Sequence, residues 1–250
     1  MSNTDKPPFG YTLIWGPMKV GKTIAALNSP WQPVHIIDCE NSSSDYFEHQ
    51  ERLVKTGLVR GQFTRTACAS MTEYVAEVDR ISKSKERYGT IALDTFGQIS
   101  SWVGEDQFVK EAGKVEKQSQ IVWGHVRDRL RKNLIILGSK CDLLVLTAHQ
   151  REYPPASHKF SPRCNPVAIE LTSISIRLER KPNEKLPSAE IGARLPFFPP
   201  KIENFTLEKL LQYIAAPADW DNLKNDEKVQ EPVSPSAPNG YSPEAELENG

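Results

Sequence analysis

Apolar residues along this chain fall into short blocks of two kinds. Tyr11–Trp15 (YTLIW), Val34–Ile37, Thr90–Leu93 and Asp142–Thr147 are near-continuous runs rich in β-branched and aromatic side chains. Such runs suit strands buried on both faces, as in a parallel sheet. Phe63–Ala67 is a candidate further strand. Elsewhere the apolar positions recur every three or four residues: Tyr74, Val78 and Ile81 within Thr72–Lys85, and Val122, Val126, Leu130, Leu134 and Leu137 within Gln118–Gly138. That period predicts two amphipathic helices. A short helix is expected over Lys22–Asn28, stopped by Ser29-Pro30, and another over Leu207–Ile214. Ile169–Arg180, with Ile174, Ile176 and Leu178 alternating, predicts a strand hairpinned with Glu190–Phe198. Alternation of strands and helices gives an α/β fold: a mostly parallel central sheet flanked by helices.

Composition adds boundaries. The chain has 250 residues, 38% hydrophobic and 25% charged, ordinary values for one folded domain with extensions. From about Asn222 it carries Pro232, Pro235, Pro238 and Pro243 among Ser, Glu and Asn, too little apolar area to offset the entropy of ordering. The expected division is a flexible leader over 1–10, a domain over 11–221 and a disordered tail over 222–250. Residues 226–250 hold six acids and one base, a charge of −5, so the formal total of −1 leaves +4 on the rest. A mildly basic body with an acidic tail suits a nucleic-acid partner. The longest apolar runs, Leu134–Leu137 and Leu143–Leu146, fall far short of the roughly 20 residues that span a bilayer. Met1–Phe9 is polar, without a signal-peptide core. Cys39, Cys68, Cys141 and Cys164 are dispersed, which predicts free thiols in a reducing compartment. A cytoplasmic protein without a membrane partner is expected.

The chemistry begins at Gly16-Pro17-Met18-Lys19-Val20-Gly21-Lys22-Thr23, which fits G-x-x-x-x-G-K-[ST] between a strand and a helix. Four fixed positions match by chance in a chain of this length on the order of 1% of the time. In such a loop the backbone N–H groups cradle phosphates, the lysine (Lys22) meets the β- and γ-phosphates, and the hydroxyl (Thr23) meets Mg²⁺. Lys19 is either a further phosphate contact or a solvated loop lysine. Thr90-Ile-Ala-Leu-Asp94 is an apolar strand ending in a carboxylate suited to orienting Mg²⁺. Asp94-Thr-Phe-Gly97 also fits the D-x-x-G element of GTPases, and Ser139–Asp142 imitates a guanine-reading motif. The latter precedes its strand where it should follow it, which argues against guanine.

Gly16–Thr23, Ile36-Ile-Asp-Cys-Glu40, Ile91–Asp94 and Val145-Leu-Thr-Ala-His149-Gln resemble, in order and spacing, the RecA-like P-loop ATPases. The closest type is the small single-domain RecA-like proteins of phages and prophages, linked to recombination and single-strand annealing. The resemblance covers about residues 11–200. It implies ATP and Mg²⁺ as cofactors, a catalytic, water-polarising role for Glu40 and a γ-phosphate-sensing role for His149, with Gln150 as the alternative. It also implies that Asp142–Thr147 lies between the phosphate-loop strand and the Asp94 strand. A homo-oligomer is expected, with Arg180 or Lys181 reaching a neighbour's γ-phosphate. Only about ten residues precede the first strand, where larger recombinases carry an oligomerisation domain.

Arg151–Arg163 (REYPPASHKFSPR) follows the His149 strand, where RecA-like proteins carry a DNA-binding loop. Arg151, Lys159 and Arg163 would meet phosphates, and Tyr153 and Phe160 would stack on bases of single-stranded DNA. The expected function is a DNA-stimulated ATPase in recombination, annealing or replication. The alternatives are a nucleotide-binding regulatory switch with little turnover and a P-loop small-molecule kinase.

Overall fold

A computed structural model of the chain describes residues 10–111, 119–152, 157, 159–193 and 199–210. The expected leader (but for Gly10), the acidic tail and Tyr153 lie outside the described residues. The elements run β1 (Tyr11–Gly16), α1 (Lys22–Leu27), β2 (Val34–Asp38), α2 (Ser44–Glu48), α3 (Gln50–Lys55), β3 (Phe63–Ala67), α4 (Met71–Lys83) and β4 (Tyr88–Asp94). They continue with α5 (Phe96–Glu111), α6 (Ser119–Ser139), β5 (Cys141–Glu152), β6 (Phe160–Pro162), α7 (Pro166–Leu171), β7 (Ile174–Glu179), β8 (Ser188–Ala193) and β9 (Lys201–Ile202).

The sheet order is β3-β2-β4-β5-β1-β7-β8-β9, with β6 paired to β5. Every pairing from β3 across to β7 is parallel, and β8 and β9 close the far edge antiparallel. β5 thus separates the phosphate-loop strand from the Asp94 strand, as the resemblance implies.

Strand alternation sends successive side chains to opposite faces, and each face has its own helical cover. Leu13, Ile37, Leu93, Leu144 and Leu146 pack with Tyr74, Ile81, Phe96, Ile99, Val126, Leu130 and Leu134 from α4, α5 and α6. Ile14, Ile36, Ala92, Leu143 and Val145 pack with Ala25, Ala26 and Leu27 of α1 and with Phe205, Leu207 and Leu210. Full burial of one such side chain contributes about 1.5–3 kcal/mol, so the three layers hold the strand ends in fixed register. None of the helices among the described residues is long and apolar enough to cross a membrane.

Helices α2, α3 and α5 carry no sequence signal, and two expectations need correction. Helix α5 was not foreseen: it buries Phe96, Ile99 and Val103 but leaves Phe108 and Val109 exposed, so no clean stripe marks it. Helices α2 and α3 bury no residue fully and so carry no period. Ile169–Leu171 is helical, not extended: Asn165 Oδ1 caps the Val167 N–H at 3.1 Å and Pro166 opens the first turn of α7. The strand starts only at Ile174, and it does form the expected hairpin with β8. The segment after His149 is not a simple loop, because β5 continues to Glu152 and pairs antiparallel with β6.

Candidate nucleotide-binding site

β1 ends at Gly16, beside Leu178 of the neighbouring strand β7. Gly16 has φ 151°, and a Cβ there would lie 2.4 Å from the Leu178 carbonyl oxygen, so only glycine fits. Gly21, at φ 105°, caps α1, and Lys19 also adopts positive φ, 59°. These turns curl Pro17, Met18, Lys19 and Val20 into a concave loop of the kind whose amides receive anions. Val20 anchors the loop in the core, while Met18 stands 72% exposed at its tip. The Arg180 guanidinium donates to the Lys19 carbonyl of the same chain at 3.0 Å.

Lys22 is only 6% exposed. Its Nζ donates to the carbonyls of Gly16 (3.2 Å) and Pro17 (2.7 Å) and lies 3.5 Å from His149 Nδ1. Burial lowers its pKa, and the charges of Asp94 and Glu40 oppose that shift. Register explains the meeting: Gly16 is opposite His149 across β1–β5, and Asp38 is opposite Asp94 across β2–β4. The C-terminal ends of four parallel strands therefore stand at one level.

Glu40, two residues past β2, accepts from Thr95 Oγ1 at 2.7 Å and from His149 Nε2 at 2.9 Å. With a proton on Nε2 and none on Nδ1, the imidazole satisfies both neighbours, donating to Glu40 and accepting from Lys22. His149, rather than Gln150, faces the phosphate loop. The His149 hydrogen bond, with help from Thr95 and the nearby Lys22 charge, holds the Glu40 carboxyl below its usual range despite partial burial.

Asp94 is buried and saturated by hydroxyls. Its Oδ2 accepts from Thr23 Oγ1 at 2.7 Å and from Ser42 Oγ at 2.6 Å, and its Oδ1 accepts from Thr147 Oγ1. Thr23, Ser42 and Asp94 are a set of hard oxygens. They suit Mg²⁺, which takes few protein ligands and shares its shell with water and phosphate. Among the described residues no group of three or more His, Cys, Asp or Glu side chains could hold a metal by itself.

Ser42, Thr95, Thr147 and the Asp38–Arg65 pair behind Glu40 were not anticipated. Thr95 follows Asp94 directly, which is the one sequence signal for it; the others reach the site only through folding. The guanine-like Ser139–Asp142 stretch lies at the opposite end of the sheet, where Asp142 pairs with Arg87 at 2.8 Å.

Among the sequence-derived nucleic-acid contacts, Arg151, Lys159, Phe160 and Arg163 lie on or beside the β5–β6 hairpin and are exposed. Phe160 is not a free platform: the Arg177 guanidinium lies 5.0 Å from its ring and 5.6 Å from that of Trp15, which borders the phosphate loop. The Arg163 amide donates to the His149 carbonyl at 2.6 Å, so the hairpin base is tied to the site.

The glycine-bounded loop, the Asp-ended strand and the strand inserted between them define a P-loop nucleoside-triphosphate-binding domain. Residues 11–155, more than half of the chain, match the family described as AAA domain, and the chain belongs to that family. Comparison with curated proteins gives no match. The solved structure of the RadB recombinase is similar at 13% identity over 75% of this chain and 83% of that one, with a TM-score of 0.49.

Proposed function

We propose that this protein binds ATP with Mg²⁺, hydrolyses it, and couples hydrolysis to single-stranded DNA in recombination, annealing or replication of the phage type. One observation carries the reading: Lys22, Thr23, Glu40, Asp94 and His149 converge from four strand ends on the mouth of one phosphate loop. Lys22 exchanges the Gly16 and Pro17 carbonyls for β- and γ-phosphate oxygens. Thr23 and Asp94 would hold Mg²⁺, which when bound offsets the phosphate charge that develops during transfer. Glu40 polarises the attacking water as general base. His149 bonds the γ-phosphate, and its carbonyl link to Arg163 passes the loss of that phosphate to the hairpin. The exposed cations Arg151, Lys159 and Arg163 beside Phe160 suit sequence-tolerant single-strand binding, with Tyr153 as a further stacking ring.

The test is ATP turnover with and without single-stranded DNA, in the parent and in Lys22→Ala. Loss of a preorganised charged contact commonly costs about 3–4 kcal/mol in the transition state, several hundredfold in rate. Unchanged turnover in Lys22→Ala would sink the assignment. ATP binding without turnover would mark a regulatory switch instead, and phosphoryl transfer to a small molecule a kinase.

A further inference from the structure

The segment between β2 and α2 reaches the site twice, through Glu40 and, two residues on, through Ser42. Ser42 Oγ donates to Asp94 Oδ2 at 2.6 Å, the oxygen that also accepts from Thr23 Oγ1 at 2.7 Å. Hydroxyls from two distant parts of the chain thus converge on one carboxylate oxygen. The segment that brings Ser42 there is held from behind. Buried Asp38 accepts from the amides of Ser42 (3.0 Å), Ser43 (2.9 Å) and Glu40 (3.3 Å), and from Ser43 Oγ at 2.6 Å. Arg65 of β3 donates from Nε to Asp38 at 3.0 Å and to Ser43 Oγ at 3.1 Å, and its fork also bonds Asn41. These bonds hold the Asp38 carboxyl below its usual range, because Ser43 and Arg65 together outweigh the cost of burial. A serine serving only to peg the segment would find its partner in Asp38, yet that oxygen is 3.5 Å from Ser42 Oγ while the Asp94 contact is short.

We propose that Ser42 is a further metal-site residue, its hydroxyl oxygen joining the shell of the divalent cation that accompanies the nucleotide, alongside Thr23. This deepens, and rests on, the ATP–Mg²⁺ reading. A hydroxyl has lone pairs as well as a proton, so Ser42 can turn from donating to Asp94 to facing the cation without moving its backbone. Because Ser42 and Glu40 share one segment braced by Asp38, a cation held by Ser42 would engage the same segment that carries the proposed water-polarising carboxylate.

The experiment measures equilibrium binding of a fluorescent ATP analogue in EDTA and across a Mg²⁺ titration, for the parent, Ser42→Ala and Ser42→Cys, with circular dichroism to check folding. The expected result is equal affinity in EDTA and a Mg²⁺ midpoint raised about tenfold in Ser42→Ala, the size typical of losing one supporting group at a metal site. Ser42→Cys replaces a hard oxygen with a soft sulfur of similar size, so it should lose preference for Mg²⁺ and gain it for Cd²⁺. A parent whose affinity rises with Mg²⁺, with an unshifted midpoint in Ser42→Ala and no gain of Cd²⁺ by Ser42→Cys, overturns the Ser42 assignment alone. A parent that binds no analogue with or without metal overturns the nucleotide reading and the assignment with it.

Discussion

Glu40 illustrates how one contact sets the chemistry of a residue. The general-base role proposed for Glu40 needs an ionised carboxylate, and the bond from His149 favours the ionised form. Glu40→Gln keeps the shape and most hydrogen bonding but loses the charge. It should therefore retain ATP binding and lose about 10²–10⁴-fold in turnover, the usual range for a positioned base. The His149 contact makes a second, separable prediction. Removing it in His149→Ala raises the Glu40 pKa from its lowered position towards the ordinary value of 4.5. The acid limb of kcat/KM should then begin to fall at a higher pH than in the parent. An acid limb that stays in place would mean that this pair does not govern the ionisation of the base.

Single elements matter through what they dock against. Helix α4 is fastened to β2 and β3 by a buried carboxylate: Glu77 lies 2.8 Å from His35 Nε2, 2.7 Å from Arg80 Nη2 and 3.1 Å from Thr66 Oγ1. Burial would push its pKa up, but the Arg80 and His35 hydrogen bonds outweigh it and bring it down to about 2. Its folded pKa is thus below its unfolded value of 4.5, so the stabilisation is complete above pH 4.5 and fades as pH falls towards 2. The amount is on the order of 3 kcal/mol. Urea unfolding across this pH window should show the parent losing that stability and Glu77→Gln showing a flatter profile. The β5–β6 hairpin docks differently, through Phe160 on Arg177. Lys159→Ala combined with Phe160→Ala should weaken single-strand DNA binding, by about 1–3 kcal/mol for the lost ring, and reduce its salt dependence by roughly one phosphate contact. Equal binding with an unchanged salt slope would remove the hairpin from the contact surface.

At the scale of the whole molecule, the site opens at the C-terminal edge of the sheet, where a second copy could complete it. Arg180 already touches the rim of the phosphate loop through the Lys19 carbonyl, and Lys181 beside it is 81% exposed. If Arg180 or Lys181 serves a neighbouring subunit, turnover per subunit should rise with protein concentration. Sedimentation should then show larger species under the same conditions. A monomer with concentration-independent turnover would confine the site to one chain.

The sequence by itself determined those features that rest on local chemistry. The phosphate loop was legible because glycine spacing, Lys22 and Thr23 act within one turn of chain. The buried strands and the α4 and α6 stripes were legible because burial imposes a period on neighbouring residues. Asn165-Pro166 also announced α7 locally, although the alternation of Ile174, Ile176 and Leu178 masked it. Folding alone decided what depends on distant neighbours. Helix α5 has no clean stripe because its second half is exposed. Ser42 and Thr147 carry no motif, and they meet Asp94 only because β2, β4 and β5 lie side by side in register. Parallel pairing joins residues whose sequence separation is large and variable, so no local pattern records it; the tertiary structure therefore decided which hydroxyls surround the carboxylate and which carboxylate faces His149.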